Sequence, residues 1–156
     1  MSEQADRRGE TEHERLDRNL AELLQELRVA IPGIQFLFAF LLVVPFSQGW
    51  QNVTNLQRDV FFAAFLATTI SSILFIAPST YHRLRWRERD KEHMLQMANR
   101  LAIGGAVFLA LGMTATVFLI TDVLFKASAA AGVTAAAAGA FAWFWFGLPL
   151  LRRATR

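Results

Sequence analysis

VAIPGIQFLFAFLLVVPFSQGW, residues 29–50, runs from end to end without a charged side chain. At about 1.5 Å of rise per residue, a helix of this length covers a hydrocarbon core of about 30 Å. Only a helix or a closed barrel satisfies its own backbone hydrogen bonds there. Three further stretches of the same kind follow, at 60–79, 101–121 and 129–151. The fold class read from this pattern is all-α: an integral membrane four-helix bundle preceded by an amphipathic cytosolic helix. The expected organisation is a disordered tail over 1–13, that helix over 14–28, a four-span domain over 29–151 and a basic tail over 152–156.

The basic residues lie almost wholly on one side of these spans. Residues 1–28 hold Arg7, Arg8, Arg15, Arg18 and Arg28, the 80–100 connection holds Arg83, Arg85, Arg87, Arg89, Lys91 and Arg100, and the tail holds Arg152, Arg153 and Arg156. The other two connections carry only Arg58 and Lys126. In short loops such a bias places the basic side in the cytoplasm, so both termini are expected there, in the cytoplasmic membrane. The N-terminal segment is charged and lacks the apolar core of a cleavable signal peptide, which leaves the first span as the expected targeting signal.

A net charge of +3 raises the question of nucleic acid. The arginines flank apolar segments and belong to no nucleic-acid-binding motif, so lipid headgroups are the expected partner and nucleic acid is not. Arg83, Arg85, Trp86, Arg152 and Arg153 are the expected headgroup anchors. Trp50, Tyr81, Trp143 and Trp145, at or toward span ends, suit the same interface.

Two halves of the chain share landmarks. A shift of 72 sets LRVAIPGIQFL (27–37) on NRLAIGGAVFL (99–109), with identities Arg28/Arg100, Ala30/Ala102, Ile31/Ile103, Gly33/Gly105, Phe36/Phe108 and Leu37/Leu109. A shift of 71 pairs Leu24-Gln25 with Leu95-Gln96, and Phe75-x-x-Pro78 with Phe146-x-x-Pro149. The expected architecture is two parallel helical-hairpin repeats with approximate two-fold symmetry about the membrane normal.

Catalytic chemistry has little to work with. The stretches 29–57, 60–81, 101–121 and 127–151 contain no Asp, Glu, Lys, Arg or His. Proton relays and ion-coupled pumps need such a group at depth. The absence of cysteine removes thiolate catalysis and iron–sulfur or cysteine–zinc sites. His13, His82 and His93 are dispersed among charged residues and make a poor metal site. No enzyme activity, metal or cofactor is expected.

The polar atoms at depth are amides and hydroxyls. Gln35 follows Pro32-Gly33 and would form an interhelical hydrogen bond or line a pore mouth. Thr68, Thr69, Ser71 and Ser72 in span 2, facing Gly112, Thr114 and Thr116 in span 3, could form a mildly polar conduction path or simply pack helices closely. The permeation candidates are Gln35, Thr68, Thr69, Ser72 and Thr114. Small residues at four-residue steps, Gly132/Ala136/Ala140, Ala135/Gly139 and Ala102/Ala106/Ala110, offer close backbone approach, and self-association is expected from them. At the outer ends, Asp59 is a candidate helix cap and Asp122 a partner for Lys126.

Residues 14–27 place Leu16, Leu20, Leu23, Leu24 and Leu27 on one stripe. Leu16, Leu20, Leu23 and Leu27 are the candidate surface for docking a cytosolic or membrane protein. The functional readings are therefore an oligomeric pore or permeation element and, as the alternative, a membrane-anchored scaffold that captures partners through this stripe.

The run ELRVAIPGIQFLFAFLLVVPF, with YHR after span 2 and NRLAIGG at span 3, resembles a bacterial family of small four-span membrane proteins known only as a domain of unknown function. The likeness covers roughly residues 14–151. It implies an all-helical domain in a bacterial cytoplasmic membrane and carries no catalytic or binding residues.

Overall fold

The computed structural model describes residues 12–84, 91–125, 127–148 and 150–151. These form helices α1 (Glu12–Val43), α2 (Asn55–Leu84), α3 (Lys91–Leu124) and α4 (Ala127–Phe141), the last continued by a π-helical segment over Ala142–Gly147. Four of the helical stretches, Glu14–Phe46, Asn55–Tyr81, Glu92–Leu124 and Ser128–Gly147, are long and apolar enough to cross a bilayer. The chain is an all-helical bundle, compatible with a multi-pass membrane protein. Of the expected terminal tails, residues 1–11 and 152–156 lie outside the described residues.

The amphipathic segment and the first span are one helix. Leu20, Leu27, Ile34 and Leu41, seven residues apart, are all buried, with exposures of 7%, 3%, 1% and 3%. A seven-residue period keeps one seam facing its neighbours along a gently supercoiled helix, and it runs without a break through the boundary read at residue 28. Pro32 consequently sits inside α1 rather than in its first turn. Its missing N–H leaves the Arg28 carbonyl without its helical donor, one turn back toward the charged end. At the other end α1 stops at Val43, and two 3₁₀ segments, Val44–Phe46 and Gln48–Asn52, carry the chain to α2.

The α2–α3 pair makes the most extensive contact. α1 packs on both, whereas α4 approaches α3 alone among the described residues. Two clusters fill the interior. Leu27, Ile34 and Phe75 pack with Leu23, Leu24, Ala102, Ala106 and Leu109 toward the charged ends. Leu41, Phe61 and Ala64 pack with Leu37, Phe65, Ala115, Leu119 and Trp50 toward the outer ends. Trp50, expected as a headgroup anchor, meets Phe61 edge-on at 4.7 Å. Each expected hairpin is in contact with itself, α1 with α2 and α3 with α4. The α1–α4 contact that a closed two-fold bundle requires is not made among the described residues, so the molecule has two unlike edges.

Candidate functional site

The α2–α3 seam is where the polar atoms at depth collect. Phe61, Ala64, Thr68, Ser71, Phe75 and Pro78 recur at alternating steps of three and four residues, and all six are buried. This is the period of a helix face pressed along a neighbour. Opposite them α3 presents glycine. A Cβ on Gly112 would fall 2.8 Å from Thr68 Oγ1, and one on Gly105 would fall 2.7 Å from the Phe75 ring. The missing side chains let the two backbones close, and Ser71 Oγ then donates to the Gly105 carbonyl at 2.8 Å.

The remaining hydroxyls turn inward on their own helices. Thr68 Oγ1 donates to the Ala64 carbonyl and Thr69 Oγ1 to Phe65, both at 2.8 Å. Thr116 does the same to Gly112 at 2.8 Å and Thr121 to Val117 at 2.7 Å. In hydrocarbon a hydroxyl gains by returning its proton to the i−4 carbonyl, since no water competes for it. Thr68 and Ser71 are fully enclosed, while Ser72 and Thr114 are half-buried. Of the residues read as a conduction path, Thr68 and Thr69 therefore bond back to their own helix, and Thr68 packs against Gly112 instead of lining a lumen. Within the span 2 cluster it is Ser71, three residues on, that shares the α3-facing stripe with Thr68.

Ser71→Ala removes the hydrogen bond between helices and is expected to lower stability by about 0.6 kcal/mol, and by no more than ~2. Thr68→Val keeps the shape and leaves the Ala64 carbonyl its helical bond, so its effect is expected to be smaller. Unfolding of both variants in detergent, followed by helical circular dichroism, orders the two.

Gln35 does not join this seam. Its side chain is exposed and makes no hydrogen bond among the described residues, which corrects the expectation of an interhelical bond within the chain. It lies about a quarter-turn from the Leu27–Ile34–Leu41 line, beside Arg28 and Ala39 on the flank of α1.

The leucine stripe is also corrected. Leu20 and Leu27 are buried by the chain itself, and Leu23 packs on the Leu27–Ile34–Phe75 cluster. Leu16 is half-buried. A surface already covered from within is not open to a partner. The amphipathic pattern was real, and what it faces is the rest of the bundle. Of the headgroup anchors, Arg83 is exposed. Arg85, Trp86, Arg152 and Arg153 lie outside the described residues.

The outer end carries a polar latch that the sequence reading missed. Thr54 and Gln57 cap α2 reciprocally: the Thr54 N–H donates to Gln57 Oε1 at 3.0 Å, and the Gln57 N–H donates to Thr54 Oγ1 at 3.2 Å. Gln57 Nε2 then donates to Asp122 Oδ2 at 2.8 Å, tying α2 to the end of α3. The signal was Thr-x-x-Gln before an apolar run, a capping box. Asp59, read as the cap, lies inside the helix because α2 begins at Asn55. Lys126, read as the partner of Asp122, lies outside the described residues. Among the described residues no group of three or more His, Asp or Glu side chains could hold a metal ion.

The model of a family of unknown function, DUF6328, matches residues 9–149. The chain belongs to this family. The match takes in both hairpins and the charged connection between them, so the DUF6328 domain is the whole bundle together with the charged N-terminal half of α1. No curated protein and no solved structure matches the chain.

Proposed function

We propose that this DUF6328 protein is a noncatalytic multi-pass protein of the bacterial cytoplasmic membrane, both termini cytosolic, that acts by assembling with further copies of itself. The observation that carries the reading is α4. With its π-helical continuation it is an apolar stretch of membrane length that, among the described residues, packs on α3 alone and leaves Gly132, Ala135, Ala136, Gly139 and Ala140 exposed. Such a face gains little from lipid tails and much from the close approach of another helix. The distribution of Lys and Arg supports the orientation. The shared landmarks of the two halves, with each hairpin in contact with itself, support descent from a duplicated hairpin.

Permeation is the second reading, favoured by Gln35. An exposed carboxamide at the depth of Phe36 and Phe40 has hydrogen-bonding capacity that lipid cannot meet. Any path then runs along the Gln35 flank of α1, between assembled protomers, and not through the Thr68–Ser71 seam within one.

Extraction of the protein with its surrounding lipid into polymer-bounded discs, followed by mass measurement, is expected to give particles of two or more chains. Single chains in every disc would overturn the assembly reading. In liposomes the permeation reading expects ion flux that Gln35→Leu lowers and Thr68→Val leaves unchanged. Silence across cations and anions would remove permeation while leaving assembly in place.

A further inference from the structure

We infer that a second copy of this chain lays its α1 along the bare face of α4, head to tail, reproducing between chains the contact that α2 makes with α3 within one. This rests on the self-association proposed above and names its interface.

The inference starts from the α2 stripe that meets α3. Shifted by 71 places, Ala64, Thr68 and Ser71 fall on Ala135, Gly139 and Ala142 of α4 and its continuation. The three α2 residues are fully buried. Their three counterparts are all exposed, and a Cβ on Gly139 would meet nothing within 4 Å. One half of the molecule thus uses this stripe and the other leaves it open.

The receiving side repeats as well. Shifted by 72 places, Gly105 and Gly112 of α3 fall on Gly33 and Phe40 of α1. A Cβ on Gly33 would also meet nothing within 4 Å, and Phe40 is 75% exposed. The sizes are exchanged in a way that preserves fit. Thr68 stands against Gly112 in the α2–α3 seam, and at the equivalent place Gly139 would stand against Phe40, a hole opposite a knob. The antiparallel register agrees to within one residue. Ala142 has no hydroxyl to match the Ser71 bond, so the contact between chains rests on packing alone. It ends where the π-helical segment begins, at Ala142, because the wider turn rotates the aromatic residues that follow off the stripe.

The occupant is a second chain rather than the same one. Gly33 and Phe40 lie on a side of α1 turned away from Ile34 and Leu41, which hold α1 to α2 and α3, and among the described residues α4 does not approach α1. Donor and acceptor are different surfaces, so two copies exchanging both contacts close a dimer, and more copies close a ring.

The chain has no cysteine, which makes a disulfide test direct. Phe40→Cys and Gly139→Cys are placed on two differently tagged copies, coexpressed and oxidised in membranes. The expected product is a two-chain species carrying both tags, absent when Gly139→Cys is replaced by Ser128→Cys. The pair Gly33→Cys with Ala142→Cys asks the same question with Phe40 intact and is expected to cross-link likewise. Gly139→Leu, which has open space within the chain, is expected to keep the fold and weaken association by roughly tenfold or more, since about 1.4 kcal/mol of lost packing suffices.

Dimers formed by Gly139→Cys alone would place α4 against α4 and overturn the inference. So would a doubly substituted chain that closes within itself at monomer mass. Discs holding several chains with neither pair cross-linking would overturn this docking and leave self-association standing. Single chains throughout, with lipid alone on α4, would remove both.

Discussion

Gly105→Leu is expected to force α2 off α3 and to lower stability by about 2–4 kcal/mol, the sum of an overpacked seam and a lost hydrogen bond between helices. The Cβ alone would stand 2.7 and 2.8 Å from two atoms of the Phe75 ring and 3.2 Å from a third. That ring has nowhere to go, because Leu27 and Ile34 pack behind it. Separating the backbones to make room also draws the Gly105 carbonyl away from Ser71 Oγ. Gly33→Leu and Gly139→Leu supply the contrast: both are glycines in apolar spans, and neither has an atom within 4 Å of its missing Cβ. Unfolding in detergent, where single chains prevail, should therefore find the first variant markedly weakened and the other two close to the parent. Equal melting of all three would mean that the α2–α3 seam is not packed as described.

Leu27→Glu separates the two roles open to the leucine stripe. If the stripe were a docking surface, a carboxylate there would abolish capture of a partner and leave the bundle intact. At 3% exposure, packed with Ile34 and Phe75, the same carboxylate is instead buried in an apolar cluster. The expected cost is several kcal/mol, comparable to the stability of a small domain, because the cluster of Ile34, Phe75, Leu23 and Leu24 around it offers neither opposite charge nor side-chain donor. The bundle should loosen at its charged end, and limited proteolysis over residues 12–28 should speed up together with a fall in melting temperature. Unchanged melting with slow proteolysis would return the stripe to the list of free surfaces.

The spans were legible because the absence of charge over about twenty residues has a single structural solution in a bilayer. The continuity of α1 was legible too, in the seven-residue recurrence of Leu20, Leu27, Ile34 and Leu41, but a change from charged to apolar composition at Arg28 drew the boundary there instead. Composition reports the surroundings of a helix, and period reports which side of it is covered. The hydroxyl cluster was found and its role was not, because Thr68 and Thr69 can serve either a pore or their own backbone, and the choice depends on how closely α3 approaches. Gly105 and Gly112 decide that approach. Gln35 went astray for a related reason: a single polar residue states a need for a partner without stating the side from which it comes. The position of α4 at the edge of the bundle was not legible, since all-round apolar helices look alike whether they are surrounded by protein or by lipid.

α1 spans 32 residues and α3 spans 34, which at 1.5 Å per residue makes rods of about 48 and 51 Å, well beyond the ~30 Å that a helix needs to cross a hydrocarbon core. Both extend past their apolar stretch on the charged side, and the leucine and isoleucine seam holds α1 to the bundle from Leu20 to Leu41. The charged overhang near Leu20 and the far end at Leu41 thus share one seam, so displacing the first is expected to tilt the second with it.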